Sequence, residues 1–215
     1  FEETAYAVKR RGEIMQAVCD EIALESSGNA PGMAACIGLA PECVIKTVEN
    51  IKDVFAANMN SVRQTVLSGT KKGLEEASEA LKNAGAKRVI PLKVAGPFHS
   101  PLMHKAAVQF EKVLDELHFN KPEIPVFSNV SGKQLTSAEE AKVNAIKHLT
   151  CPVLWTSEEK EIAELCRNSS DEYKLLEVGP GKVLNGLWRD SGNAEMIPAF
   201  QFEDIISDME NKEAL

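Results

Sequence analysis

Between residues 30 and 95 the spacing of apolar residues switches repeatedly between two periods. That alternation restricts the possible fold more than any other feature of the chain. "MAACIGL" is a short apolar run of strand type, and "PECVIKTVENI" follows with Val44, Val48 and Ile51 at helical spacing and a proline at its first turn. "VFAANMN" and "QTVLSG" read as two strands. "KKGLEEASEALKNAG" reads as a helix with Leu74, Ala77, Leu81 and Ala84 inward and Gly85 as its stop. "RVIPLKVA" returns to the strand pattern. The order β-α-β-β-α-β is that of a ferredoxin-like split βαβ unit.

The flanking sequence alternates on a larger scale. "FEETAYAVKRRGEIMQAVCDEI" places Phe1, Ala5, Val8, Met15, Val18 and Ile22 on roughly one helical face, so the sequence begins almost inside an amphipathic helix. A part upstream of Phe1, or on a separate polypeptide, is therefore expected. After the small unit, a helix running to about Leu117 precedes a strand in "IPVFSNVSG". Helices follow in "SAEEAKVNAIKHL" and "SEEKEIAELC", then a strand in "YKLLEVGP", a short helix in "GKVLNGL" and a last strand in "EMIPAF". The acidic end "FEDIISDMENKEAL" has the pattern of a partly docked helix. Strands alternating with helices imply an α/β domain with a mainly parallel sheet covered on both faces. Residues 1–29 and 96–215 would form that domain, and residues 30–95 the inserted subdomain.

Bulk properties remove several functions. No apolar run approaches the roughly 20 residues of a membrane-spanning helix. A net charge of −8 argues against a broad nucleic-acid surface. Five cysteines, odd in number and without a C-x-x-C pair, favour reduced thiols in a cytoplasmic compartment and argue against a structural zinc site. No metal ligand set is expected.

In open α/β sheets, ligands gather where strands end and loops lead into helices. "GPFHSPLM", "SNVSG" and "EVGPGKVL" occupy such places. His99, between an apolar strand pattern and a helix, is positioned to move protons, given a nucleophile on one ring nitrogen and an orienting acceptor on the other. The competing reading is a cap on the helix that starts near Pro101. "EVGPGKVL" could cradle a phosphate, but it lacks both established glycine-rich spacings and reads more simply as a tight turn. Arg10 and Arg11 would ordinarily form a solvated face, with at most one pointing inward. Cys36 alternates with apolar neighbours and reads as core. Ser100 adjoins His99, and adjacent residues rarely form a nucleophile–base pair. No G-x-S-x-G occurs in the 215 residues.

Taken together, "VKRRGEIMQAV", "GMAACIGL", "NMNSVRQTVLSG", "GAKRVIPLKVAGPFHSPLM", "PVFSNVSG", "CPVLW" and "LLEVGPGKVL" resemble, in order and spacing, the malonyl-CoA:acyl-carrier-protein transacylase family of acyltransferases. The similarity runs from Phe1 to about Phe200. It implies an α/β-hydrolase-like domain with an inserted ferredoxin-like subdomain. The implied activity moves a malonyl group from coenzyme A to the phosphopantetheine thiol of acyl carrier protein, in fatty-acid biosynthesis, by a serine–histidine ping-pong mechanism. Malonyl-CoA and the carrier protein are the implied partners, with no nucleic acid or membrane. Coenzyme A enters as a substrate thioester, and no cofactor is permanently bound.

By the same resemblance His99 is the base, and Arg11 pairs with the free malonyl carboxylate. A guanidinium suits that task, since it stays charged and binds carboxylates through two parallel hydrogen bonds. Phe98 sits where related domains choose the extender unit, and its ring should favour malonyl over methylmalonyl. Asn60 and Gln64 match a substrate-pocket motif. His148, where the family often has glutamine, is implied to orient His99 through its backbone carbonyl. "NSVRQ" departs from the more usual "NSPGQ", and the loop between Val18 and Met33 is longer than in compact bacterial members. The glycine-rich oxyanion segment and the serine elbow have no counterpart, and both are expected just upstream of Phe1. This implies that the 215 residues alone are inactive. Lys87, Arg88 and Lys105 are candidate contacts for an acidic carrier protein. A non-catalytic carrier-protein or CoA-binding module lacking the nucleophile is the alternative; a lipase-like hydrolase is disfavoured by Arg11. The transferase reading requires His99 and Arg11 to open onto one cavity.

Overall fold

Glu2 and Glu3 place negative charge at the start of a 24-residue helix, α1 (Glu2–Glu25), where the helix dipole favours it. In this computed structural model, which describes residues 1–179 and 181–201, the chain continues through β1 (Gly32–Ile37), α2 (Pro41–Val48), β2 (Val54–Ser61), β3 (Gln64–Gly69), α3 (Lys71–Asn83) and β4 (Arg88–Pro91). A 3₁₀ turn at Pro101–Met103 leads into α4 (His104–Asp115), followed by β5 (Phe127–Ser128), β6 (Lys133–Gln134) and α5 (Ala138–Lys147). The remaining elements are α6 (Trp155–Arg167), β7 (Leu175–Glu177), α7 (Val183–Asp190) and β8 (Ala199–Gln201). The chain divides into two units, Phe1–Glu158 and Glu159–Leu215. The helix expected in "FEDIISDMENKEAL" lies outside the described residues.

Within the first unit, β1 to β4 form one antiparallel sheet in the order β2-β3-β1-β4. The sequence order β-α-β-β-α-β requires this arrangement, because β2 and β3 form a hairpin while the two helical crossovers carry the chain to opposite edges. One face of the sheet packs Cys36, Val54 and Leu67 against Val44 and Val48 of α2 and Ala77 and Leu81 of α3. Thr70 caps α3, its hydroxyl accepting from the Gly73 amide. The other face carries Met33, Ala35, Ala57 and Val66, with Phe98 packed against them.

A separate core joins α1 to α4. Ile14, Val18 and Cys19 meet Met103, Ala106, Ala107, Phe110, Val113 and Leu114, with Leu149 closing the cluster. The apolar stripe of α1 thus begins later than its sequence pattern suggests. Met15 and Ile22 pack as expected, but Phe1 and Val8 are exposed. The stripe that packs runs through Arg11, Ile14, Met15, Val18 and Ile22, which places a cation on the buried edge of the helix.

In the second unit, Trp188 is fully buried against Ala163 and Ile197, its indole N–H donating to the Ile197 carbonyl at 2.9 Å. The Glu177 carboxylate accepts from the amides of Leu184 and Asn185 at 3.1 and 2.9 Å. Those first-turn donors of α7 are therefore taken by the protein itself, and Gly179 and Gly181, between β7 and α7, have positive φ. The α/β class stands. Among the described residues, parallel pairing occurs between β7 and β8 and at the single bridge Asn58–Val153, with the other strands antiparallel.

Gly96 fits where it does because a side chain there would fall inside the van der Waals radius of Cys19 Sγ. Gly96→Ala should destabilise the protein by about 1–3 kcal/mol through overpacking. Adding Cys19→Ala should recover most of that loss, as read from urea-unfolding midpoints of the single and double variants.

Candidate functional site

The site begins with a turn that the sequence writes into Pro97–Ser100. The Ser100 hydroxyl, fully buried, donates to the Pro97 carbonyl at 2.6 Å and closes the loop on itself. Ser100 is thereby structural. Between these two residues His99 adopts φ +55°, a left-handed conformation that histidine tolerates better than most residues but which is still costly. Tertiary contacts hold it there.

The principal contact comes from the C-terminal end of α5. Asn144 accepts the amide of His148, the C-cap residue, and the His148 carbonyl lies beyond the helical ladder. Nδ1 of His99 lies 2.9 Å from that oxygen. A carbonyl can only accept, so His99 carries its proton on Nδ1, and Nε2 keeps a free lone pair. The negative pole of α5 points at the same N–H.

The His148 side chain turns toward α1. Its Nδ1 lies 3.3 Å from Nη2 of Arg11, and its ring stands edge-on to that of His99 with centroids 4.9 Å apart. Arginine can only donate, so Nδ1 of His148 is the unprotonated nitrogen; Nε2 is buried with no hydrogen-bond partner among the described residues. Burial, followed by the charges of His99 and Arg11, lowers His148 to a pKa of about 4. Burial also lowers His99, partly opposed by the carbonyl bond and reinforced by Arg11. Arg11 itself is lowered by burial. Near neutrality the cluster therefore holds one cation and two uncharged imidazoles, one of them with an open basic nitrogen. A base of this kind can accept a proton from a hydroxyl or thiol.

The sequence-derived residues gather unevenly. Arg11, His99 and His148 form one connected group, and Arg10 is instead paired with Glu13 on the solvent side. Phe98 packs on the Met33–Val66 face of the small sheet. Gln64 alternates in register with Val66 on that face, and Asn60 falls in a register shift of β2, where a bulge re-aims a side chain. No hydrogen bond among the described residues joins Asn60 or Gln64 to His99, Arg11 or His148. Lys105 is paired with Glu21, and Lys87 and Arg88 are exposed.

One expectation needs correction. Arg11 and His148 line a cleft of about 510 Å³ with Val8, Phe127, Asn129 and Asn144. His99 lines a different cleft of about 350 Å³ with Phe55, Pro101, Cys151 and Pro152. No described cleft is lined by both His99 and Arg11, so these 215 residues do not by themselves meet the requirement of one shared cavity; the two groups instead flank His148. They are linked through His148, whose carbonyl serves one and whose ring serves the other. Sequence reasoning missed the ring's role, because nothing local to position 148 reports a contact with a residue 137 positions earlier.

No family model matches the chain. It is 39% identical over 191 residues to the malonyl CoA-acyl carrier protein transacylase of Bacillus subtilis, covering 87% of this chain and 56% of that protein. Among solved structures it resembles the acyl carrier protein S-malonyltransferase of Vibrio cholerae, with TM-score 0.79, 34% identity, and coverage of 91% of this chain and 60% of that one. A malonyl-transacylase solved in complex with a type II polyketide acyl-carrier protein matches with TM-score 0.78 and 33% identity, over 96% of this chain and 64% of that one. The chain spans less than two thirds of the length of each of these relatives.

The buried imidazoles make stability depend on pH. His148 titrates near 4 when folded, against an ordinary value of 6.5, so the unfolded chain binds more protons between those values. This contribution is complete above pH 6.5 and is lost as pH falls toward 4, with His99 acting in the same direction. Denaturant midpoints measured from pH 7.5 to 4.5 should fall, and should fall less steeply in His148→Gln.

Proposed function

From the homology of this chain to the malonyl CoA-acyl carrier protein transacylases, we propose that it is the larger part of an enzyme moving malonyl groups from coenzyme A to acyl carrier protein. One observation carries the reading at the level of chemistry. His99 is held with Nδ1 on a helix-terminal carbonyl and Nε2 without a hydrogen-bond partner among the described residues, beside a half-buried arginine bonded to the residue that supplies the carbonyl.

That arrangement supports the following roles, which the resemblance implies. A serine hydroxyl, supplied from outside these 215 residues, attacks the malonyl thioester while Nε2 of His99 takes its proton. The tetrahedral intermediate collapses, the C–S bond breaks, and His99 returns the proton to the departing CoA sulfur. The phosphopantetheine thiol of the carrier protein then loses its proton to the same nitrogen and attacks the ester, which restores the serine. Arg11 receives the malonyl carboxylate, and the same charge disfavours acetyl groups, which would leave it unpaired. By the resemblance Phe98 would narrow the space beside the acyl α-carbon, and Asn60 and Gln64 would belong to the substrate pocket. Lys87 and Arg88 offer the carrier protein positive charge; Lys105 has part of its charge answered by Glu21.

The 215 residues alone, having no G-x-S-x-G, should form no acyl-enzyme by this route. Coenzyme A acts as a substrate, with no resident cofactor required. A cytoplasmic setting suits the five free cysteines, and among the described residues no helix is long and apolar enough to cross a membrane.

In the full-length protein, His99→Ala should lower malonyl transfer from CoA to carrier protein about 10²–10⁴-fold. Arg11→Ala should reduce the malonyl-to-acetyl preference about 10- to 100-fold. Initial rates with the two thioesters measure both, and near-normal transfer by His99→Ala would overturn the proposal.

A further inference from the structure

We propose that the His148 imidazole, and not only its backbone, is a specificity-determining positioning residue: it anchors one arm of Arg11 so that the guanidinium presents its remaining donors to a carboxylate. This inference rests on the malonyl reading and assigns it a second contact.

Two observations and one chemical argument carry it. The His148 ring meets Arg11 through Nδ1 to Nη2 at 3.3 Å, and both residues line the same 510 Å³ cleft. Arg11 is half-buried on the packed stripe of α1, and no ion pair with a carboxylate is found for it among the described residues. A long side chain with a free head samples many rotamers, so fixing it before the ligand arrives removes an ordering cost from binding. An arginine has five donors; one held by an imidazole leaves enough to receive a carboxylate through two parallel bonds. Lastly, a neutral acceptor is the only type of anchor that suits this place. A carboxylate at position 148 would neutralise Arg11 and compete with the ligand, and an apolar side chain would leave the guanidinium unheld.

The ring and the carbonyl of His148 therefore serve different groups, and substitution separates them. Every side chain at position 148 retains the carbonyl that orients His99. Only those with an acceptor at the right reach retain the anchor. Glutamine can accept through Oε1, and leucine cannot.

The test uses full-length protein, with calorimetric affinities for malonyl-CoA and acetyl-CoA. His148→Leu should lower the malonyl-to-acetyl affinity ratio about tenfold, and His148→Gln should hold it near the wild-type value. In parallel, ¹⁵N spectra of the His148 ring should show Nδ1 unprotonated and hydrogen-bonded, with that shift lost in Arg11→Leu. A wild-type ratio retained in His148→Leu, or a ring spectrum indifferent to Arg11, overturns the anchor. If the wild-type protein shows no preference for malonyl-CoA, the malonyl reading fails instead. The dependence of the ring spectrum on Arg11 then decides whether the anchor exists without it.

Discussion

A single hydrogen bond, from Nδ1 of His99 to the carbonyl of His148, organises everything chemically distinctive in this chain. It fixes a tautomer, and the tautomer leaves Nε2 open. It also explains why the chain tolerates a left-handed residue at position 99, since the turn sealed by Ser100 and Pro97 aims the ring at the end of α5. Remove the carbonyl, and the ring would rotate or change tautomer. Remove the turn, and the carbonyl would have no partner.

Charge is managed with the same economy. Two imidazoles and a guanidinium lie close together and partly out of water, an arrangement that would be unstable if all three were protonated. Burial keeps both rings neutral near pH 7, and Arg11 adds to that effect. The cation is left as the one strong charge of the cluster. His148 contributes to both neighbours without carrying charge itself, which is why it can stand between a base and a cation.

Much of this was legible in the sequence, and the remainder fails to show for physical reasons. Period changes gave the small antiparallel unit, because each strand and helix there buries a face against the same sheet. His99 could be located because a strand followed by a helix leaves a loop at the place where reactive groups gather. The packed stripe of α1 was harder: Phe1 and Val8 fit a helical repeat but remain exposed, and the stripe that packs includes Arg11. Apolar spacing alone does not tell a packed residue from one that lines a cleft. The separate clefts of His99 and Arg11, and the ring contact that joins them, depend on where α5 ends relative to α1. No local pattern encodes that distance.

The tautomer of His99 offers the most direct measurement. Long-range ¹H–¹⁵N spectra of the full-length protein at neutral pH should show Nδ1 protonated and Nε2 bare, unchanged when the His148 side chain is replaced by glutamine. A ring protonated at Nε2, or one exchanging between both forms, would contradict the central claim that a helix-terminal carbonyl prepares this histidine as a base.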